Sequence, residues 1–138
     1  MKKALVDTNI ISAFMRGNPS VIQKVGKYLH FHKTLSVSVI TYYEIIRGLK
    51  AISNINKLQA FKTFMSACEI LDLDSLTAEK AAEIYDALRK KGNLVEDADI
   101  LIAATAMTND LVVVTDNTRH FDRIDGLEIS NWLQTNST

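Results

Sequence analysis

Carboxylates dominate the residues of this sequence that stand where chemistry could be done. Asp7 ends a short apolar run, Ala4-Leu5-Val6, and Glu44 stands in Thr41-Tyr42-Tyr43-Glu44-Ile45-Ile46. Asp97 and Asp99 open the apolar stretch Ile100 to Met107, and Asp116 follows Leu111-Val112-Val113-Val114-Thr115. Like charges a few ångströms apart cannot all stay ionised without a cation among them. Hard oxygen ligands of this kind suit Mg2+ or Mn2+, which keep several waters and bridge to phosphate. Such ions activate water and stabilise the charge of an in-line phosphoryl displacement. Acids gathered without a Cys or His companion therefore point to phosphodiester hydrolysis more than to zinc chemistry.

Whether they gather depends on the elements that carry them. Short β-type runs at Ala4–Val6, Leu35–Val39, Glu69–Leu71 and Leu111–Val114, with an edge strand at Leu127–Ile129, alternate with stretches of helical spacing. The helical stretches are 20–31, 41–50, 55–67, 77–90 and 97–108. The first carries Val21, Ile22, Val25, Tyr28 and Leu29, and the third carries Ile55, Leu58, Phe61, Phe64 and Met65 on one stripe. The fourth opens on Thr77-Ala78-Glu79-Lys80, with Lys80 where a capping box would have Glu or Gln, and Glu79 suits its first turn. The last is apolar almost all round and is expected to be buried. This alternation predicts an α/β domain, a central and mostly parallel sheet of four to five strands flanked by helices. In such sheets active groups collect at the carboxyl ends of the strands. Asp7 and Asp116 follow strands, Glu44 falls in the first turns of a helix leaving a strand, and Asp97 and Asp99 stand at the mouth of the buried helix. All are expected on one edge.

Each acid also has a plainer role open to it. Asp7, before Thr8 and Asn9, could cap a helix. Glu44 could be an exposed helix acid. Asp97 and Asp99 suit a helix N-terminus through its dipole, and one of them is expected to do only that. Asp116 could be a turn residue. Glu44 is the most telling, because Tyr42, Tyr43, Ile45 and Ile46 predict a largely covered helix in which an acid needs a partner. The convergence of the set, rather than any one member, favours a site.

The bulk numbers narrow the setting. A chain of 138 residues with 47% hydrophobic and 23% charged side chains is the size and balance of one globular domain, taken as 1–133 with a polar tail, 134–138, expected to fray. Sixteen basic and 16 acidic residues give a formal net charge of zero, so binding to nucleic acid must rest on local charge. Cys68 is the only cysteine, which excludes an internal disulfide and a thiolate zinc site. The apolar run before Asp7 is too short for a secretion signal, and no stretch reaches the ~18 apolar residues that span a bilayer. The reading is cytoplasmic, with no membrane role. His30, His32 and His120 are not spaced as a catalytic set, and surface or helix-end roles are expected of them. A haloacid-dehalogenase phosphatase would need a second Asp where Asn9 stands. A receiver-like domain would need an early acidic pair and a late Lys that are not clear here. No phosphate-binding G-x-x-x-x-G-K-[ST] is present.

At these same residues the sequence resembles a PIN-domain ribonuclease, specifically a VapC-type toxin of a type II toxin–antitoxin system. The matching stretches are Val6-Asp7-Thr8-Asn9, Ser38-Val39-Ile40-Thr41-Tyr42-Tyr43-Glu44-Ile45, Asp97 through Ala106, and Val114-Thr115-Asp116-Asn117-Thr118-Arg119-His120-Phe121. The resemblance spans nearly the whole chain. It implies a three-layer PIN-like fold and a divalent-metal endoribonuclease using Mg2+ or Mn2+, with Asp7, Glu44 and Asp99 as metal ligands and catalytic acids. A fourth position falls on Asp116 or Asn117, since the family often places its acid two residues after the Thr. Asp97 is a companion of the core acids, and Thr8, Asn9 and Thr115 would orient the carboxylates. Arg16, Arg47, Lys50 and Arg119 are candidates for RNA phosphate contacts. The resemblance further implies a VapB-like antitoxin across the cleft, an RNA substrate for which tRNA is a common family target, and a homodimer joining a larger hetero-oligomer. Phe14, Met15 and residues 55–65 could supply those surfaces or belong to the core. The rival outside enzymology is a PIN-like fold kept only as an inactive RNA- or protein-binding module.

Overall fold

A computed structural model describes residues 1–133. The expected tail, 134–138, lies outside the described residues. The elements run β1 (Ala4–Val6), α1 (Thr8–Met15), α2 (Pro19–Tyr28), β2 (Ser36–Ser38), α3 (Val39–Ala51), α4 (Ile55–Met65), β3 (Glu69–Leu71), α5 (Ser75–Lys90), α6 (Asp97–Thr108), β4 (Val112–Val114), α7 (Thr118–Phe121) and β5 (Ile129–Ser130). The strands form one five-stranded sheet in the order β3-β2-β1-β4-β5. Every pairing is parallel, so the expected mostly parallel sheet is wholly parallel.

Alternation along β1 sends its side chains to opposite faces. Ala4 and Val6 pack with Val37, Val114, Ile10, Ile11, Val21, Val25, Tyr28, Phe61 and Met65. Leu5 packs on the other face with Val113, Ala81, Ile84, Leu88 and the inward residues of α6. Two cores thus sandwich the sheet, with α1, α2 and α4 on one side and α5, α6 and α7 on the other, which makes the three layers. α3 reaches both, through Ile45 to the first core and Ile40 to the second.

Several boundaries differ from the sequence reading. β2 ends at Ser38, because the Ser38 hydroxyl accepts the Thr41 N–H and starts α3 at Val39 with no loop between. α5 is capped by Asp74, not Thr77. The Asp74 carboxylate accepts the Thr77 N–H, so Glu79 lies past the first turn. α2 stops at Tyr28, and Phe31, expected inside its helix, is exposed on the turn that follows. α1 leaves β1 at once and ends at Met15, and Gly17 just beyond it, with a positive φ of 82°, lets the chain reverse into Asn18, the cap of α2. Phe14 and Met15 pack against the first core, with Phe14 stacked on Phe64 at 5.1 Å, while Ile55 stays exposed.

Strand order reverses direction at β1, since the chain goes to β2 on one side and returns to β4 on the other. In open parallel sheets the crevice at that switch, beyond the carboxyl ends, is where ligands bind.

Candidate active site

The register Val6↔Val114 brings the next residues of β1 and β4, Asp7 and Thr115, out side by side. Both are buried. The Thr115 hydroxyl donates to Asp7 Oδ2 at 2.7 Å, and the Thr8 N–H donates to Asp7 Oδ1 at 2.7 Å. The same Thr115 oxygen accepts the Asn117 N–H at 2.9 Å. Asp7 therefore does cap α1, the plainer role open to it, while its other oxygen is held by β4.

Glu44 is half-buried on α3, where Tyr43 is exposed and Ile45 buried. Its Oε1 accepts the Thr8 hydroxyl at 2.7 Å. That hydroxyl lies 3.1 Å from the hydroxyl of buried Thr41. Asp99 enters from the first turn of α6, whose Ile100, Ile102, Ala103, Ala104 and Ala106 are buried as expected. Asp7, Thr8, Asn9, Ser12, Arg16, Glu44, Asp99 and Asn117 line one open cleft.

The remaining candidates fall elsewhere. Asp97 is exposed at the start of α6 and is not among the cleft residues. Asp116 is exposed and its carboxylate accepts from the Asn131 amide at 3.0 Å, while its own N–H donates to Asn9 Oδ1 at 3.3 Å. It turns away because β4 ends at Val114 and Thr115 takes the inward place. Of the two positions left open by the sequence, Asn117 is the one on the cleft, its amide 3.3 Å from Asp99 Oδ2. Arg16 is on the cleft wall. Arg47, Lys50 and Arg119 are exposed and do not line it, and Arg47 lies over the Tyr43 ring at 5.1 Å.

His120 was not expected here. Its Nδ1 stands 2.8 Å from the Asn117 amide nitrogen and 3.3 Å from Asp99 Oδ2. No spacing among the three histidines foretold this, because the contact is made by α7, a single helical turn that the sequence reading did not mark.

Burial sets the electrostatics. Asp7 is pushed up from 3.8 to about 6, first by burial and then by the charges of Asp99 and Glu44, against the hydrogen bonds from Thr115 and Thr8. Asp99 is also raised, again first by burial, with His120 opposing and Glu96 and Glu44 adding to it. Carboxylates held this way gain from a cation. Among the described residues, no three Asp, Glu, His or Cys side chains already stand close enough together to hold one. The donor set is nevertheless of hard oxygens around a cleft open to water, which fits a divalent ion of the Mg2+ or Mn2+ kind once side chains close on it.

Acids from β1, α3 and α6 facing one crevice at the switch of a parallel sheet define an α/β enzyme that works at the carboxyl edge. The family model described as PIN domain matches residues 4–127. The chain belongs to the PIN-domain family, on its VapC-type nuclease branch. It is 33% identical over 133 residues to the tRNA(fMet)-specific endonuclease VapC of Salmonella typhimurium, covering 96% of this chain and 99% of that one. Its fold is similar to that of DNA-bound VapBC from Salmonella typhimurium, with a TM-score of 0.85 and 33% identity over 96% of this chain and 99% of that chain. It is also similar to a toxin-antitoxin complex from Klebsiella pneumoniae, with a TM-score of 0.73 and 27% identity over 94% and 97% of the two chains.

Proposed function

We propose that this chain is a divalent-metal-dependent endoribonuclease that hydrolyses RNA phosphodiester bonds as the toxin of a toxin–antitoxin pair. The observation that carries the reading is the meeting of Asp7, Glu44 and Asp99, from β1, α3 and α6, on one cleft that also holds Arg16. PIN-domain nucleases are generally dependent on a divalent metal. Asp7, Glu44 and Asp99 would hold a Mg2+ or Mn2+ ion, with the Asn117 amide N–H beside them donating to Asp99 Oδ2. Such an ion supplies Lewis-acid stabilisation of the charge that develops on the phosphate. The chain's own groups do the rest. Arg16 offers a guanidinium to a phosphate oxygen entering the cleft. Thr8 and Thr115 hold Glu44 and Asp7 through their hydroxyl donors, which limits the rearrangement by which the acids would close on an ion.

A VapB-like antitoxin would silence the enzyme by covering this cleft, and the larger assembly would be built on homodimers. The likeness to a tRNA(fMet)-specific endonuclease favours tRNA as the substrate class. An RNA substrate places the work in the cytoplasm, and among the described residues no helix is long and apolar enough to cross a membrane.

The test is cleavage of a mixed RNA pool by the purified, antitoxin-free chain with Mg2+, Mn2+ or EDTA. Discrete cuts are expected that need metal and disappear in Asp7→Asn, Glu44→Gln and Asp99→Asn, each still folded by circular dichroism. Cutting that persists in EDTA, or full activity in any of the three variants, would overturn the reading for the ion or for that residue.

A further inference from the structure

The cleft is lined by two kinds of group. Asp7, Glu44 and Asp99 present acceptor oxygens and negative charge, which repel a phosphate until a cation lies among them. Asn9, Ser12 and Arg16 are donors, and all three come from α1 and its C-terminal cap. At roughly 100° per residue they share an arc of roughly 60° and follow one another over roughly 10 Å of helix axis. The Arg16 N–H still donates to the Ser12 carbonyl at 3.1 Å, so the helical spacing holds to the last of them. Ile10, Ile11 and Ala13, between them in the chain, are buried, and α1 carries no acid.

Asn9 was expected to orient the carboxylates, yet among the described residues its side chain bonds to none of them. Its Oδ1 accepts the Asp116 N–H at 3.3 Å, which ties the carbonyl end to the loop after β4 and leaves the amide N–H2 end for the cleft. A neutral amide two residues from Asp7 draws a phosphate oxygen without competing with a cation for the acids, while the charged Arg16 stands two turns further on. Asn, Ser and Arg side chains are common phosphate donors in nucleic-acid complexes. We propose that Asn9, Ser12 and Arg16 form a track for the RNA backbone along α1, with Asn9 on the phosphate nearest the acids and the strand leaving the cleft past Arg16. The proposal rests on the nuclease reading of the same cleft and gives its substrate a path.

The test is binding of a short, fluorescein-labelled single-stranded RNA of random sequence, read by anisotropy over a range of salt with Mg2+ present. Asp7→Asn serves as the non-cleaving background. Asn9→Ala and Ser12→Ala should each weaken binding roughly 2–10-fold at every salt concentration, as loss of one neutral hydrogen bond does, and leave the salt slope unchanged. Arg16→Ala should weaken binding and reduce the slope by about 0.7–1, the share of one phosphate. Asn9→Asp keeps an acceptor for the Asp116 N–H but replaces the amide donor with a charge, so it should bind RNA more weakly than Asn9→Ala. Thermal unfolding of each variant checks that the fold is kept. Asn9→Asp binding as tightly as the background would make Asn9 a tie between loops and overturn its role. Unchanged affinity in Asn9→Ala and Ser12→Ala, or a loss in Arg47→Ala and Lys50→Ala of α3 in their place, would overturn the track. Binding in the expected pattern by a chain that, with Asp7 restored, cuts no RNA in Mg2+ or Mn2+ would keep the track and overturn the nuclease reading. Metal-dependent cutting by a chain whose affinity ignores all three α1 substitutions would do the reverse. A chain that neither binds nor cuts RNA would overturn both.

Discussion

Asp7 is caught between burial, which favours the neutral acid, and two hydrogen-bond donors, which favour the carboxylate. Burial wins, and the carboxyl is pushed from 3.8 to about 6. The folded chain therefore holds this proton more tightly than the unfolded chain. The stabilisation is fully present below 3.8 and is lost as pH rises through about 6. The loss at neutral pH is on the order of 2–3 kcal/mol. Metal-free Asp7→Asn should accordingly be more stable than the wild type at pH 7, with the advantage gone below pH ~4. Urea unfolding at both pH values measures this, and a less stable variant at pH 7 would mean that the hydrogen bonds outweigh burial. A second contrast belongs to the neighbouring loop. Asn117→Ala should lower RNA cleavage roughly 10–100-fold, as loss of a ligand's partner does, and Asp116→Ala should change it little. The reverse order in single-turnover rates would return the fourth position to Asp116.

At the scale of elements, Ser38 sets where α3 begins and so where Glu44 points. Removing its hydroxyl in Ser38→Ala should cost about 1 kcal/mol through the lost cap. A lower urea midpoint with unchanged slope, together with slower cleavage, would show that the cap acts on both stability and site. Much of this architecture was legible beforehand. β1, β3 and β4 announce themselves as short apolar runs, and α6 as a helix without a polar face. The acids Asp7, Glu44 and Asp99 could be placed because each sits at a predicted strand end or helix mouth. What was hidden depends on contacts between elements. Asp116 and Asn117 both follow β4, and only the inward turn of Thr115 decides which of them meets Asp99. Asp74 looks like a loop residue until its carboxylate accepts the Thr77 N–H. His120 reaches Asp99 only through α7, a single turn too short to have a periodicity.

For the whole molecule, zero net charge means that no overall positive field draws RNA in. Attraction must rest on local charge, and within the cleft Arg16 is the only Lys or Arg among the lining residues. RNA affinity should thus fall gently with salt, and Arg16→Ala should reduce the slope of log K against log salt by about 0.7–1. Filter binding with Asp7→Asn as the non-cleaving background measures it, and an unchanged slope would remove Arg16 from the phosphate path. The strand order has a consequence in time. β1 is made first, yet it lies between β2 and β4, and β4 is formed from residues near the end of the described chain. A chain still on the ribosome carries Asp7 from the outset but lacks Thr115 to hold it and Asn117 to face Asp99. Premature termination before β4 would release a fragment without an assembled cleft. The cleft therefore exists only after β4 has been made, long after Asp7 has left the ribosome.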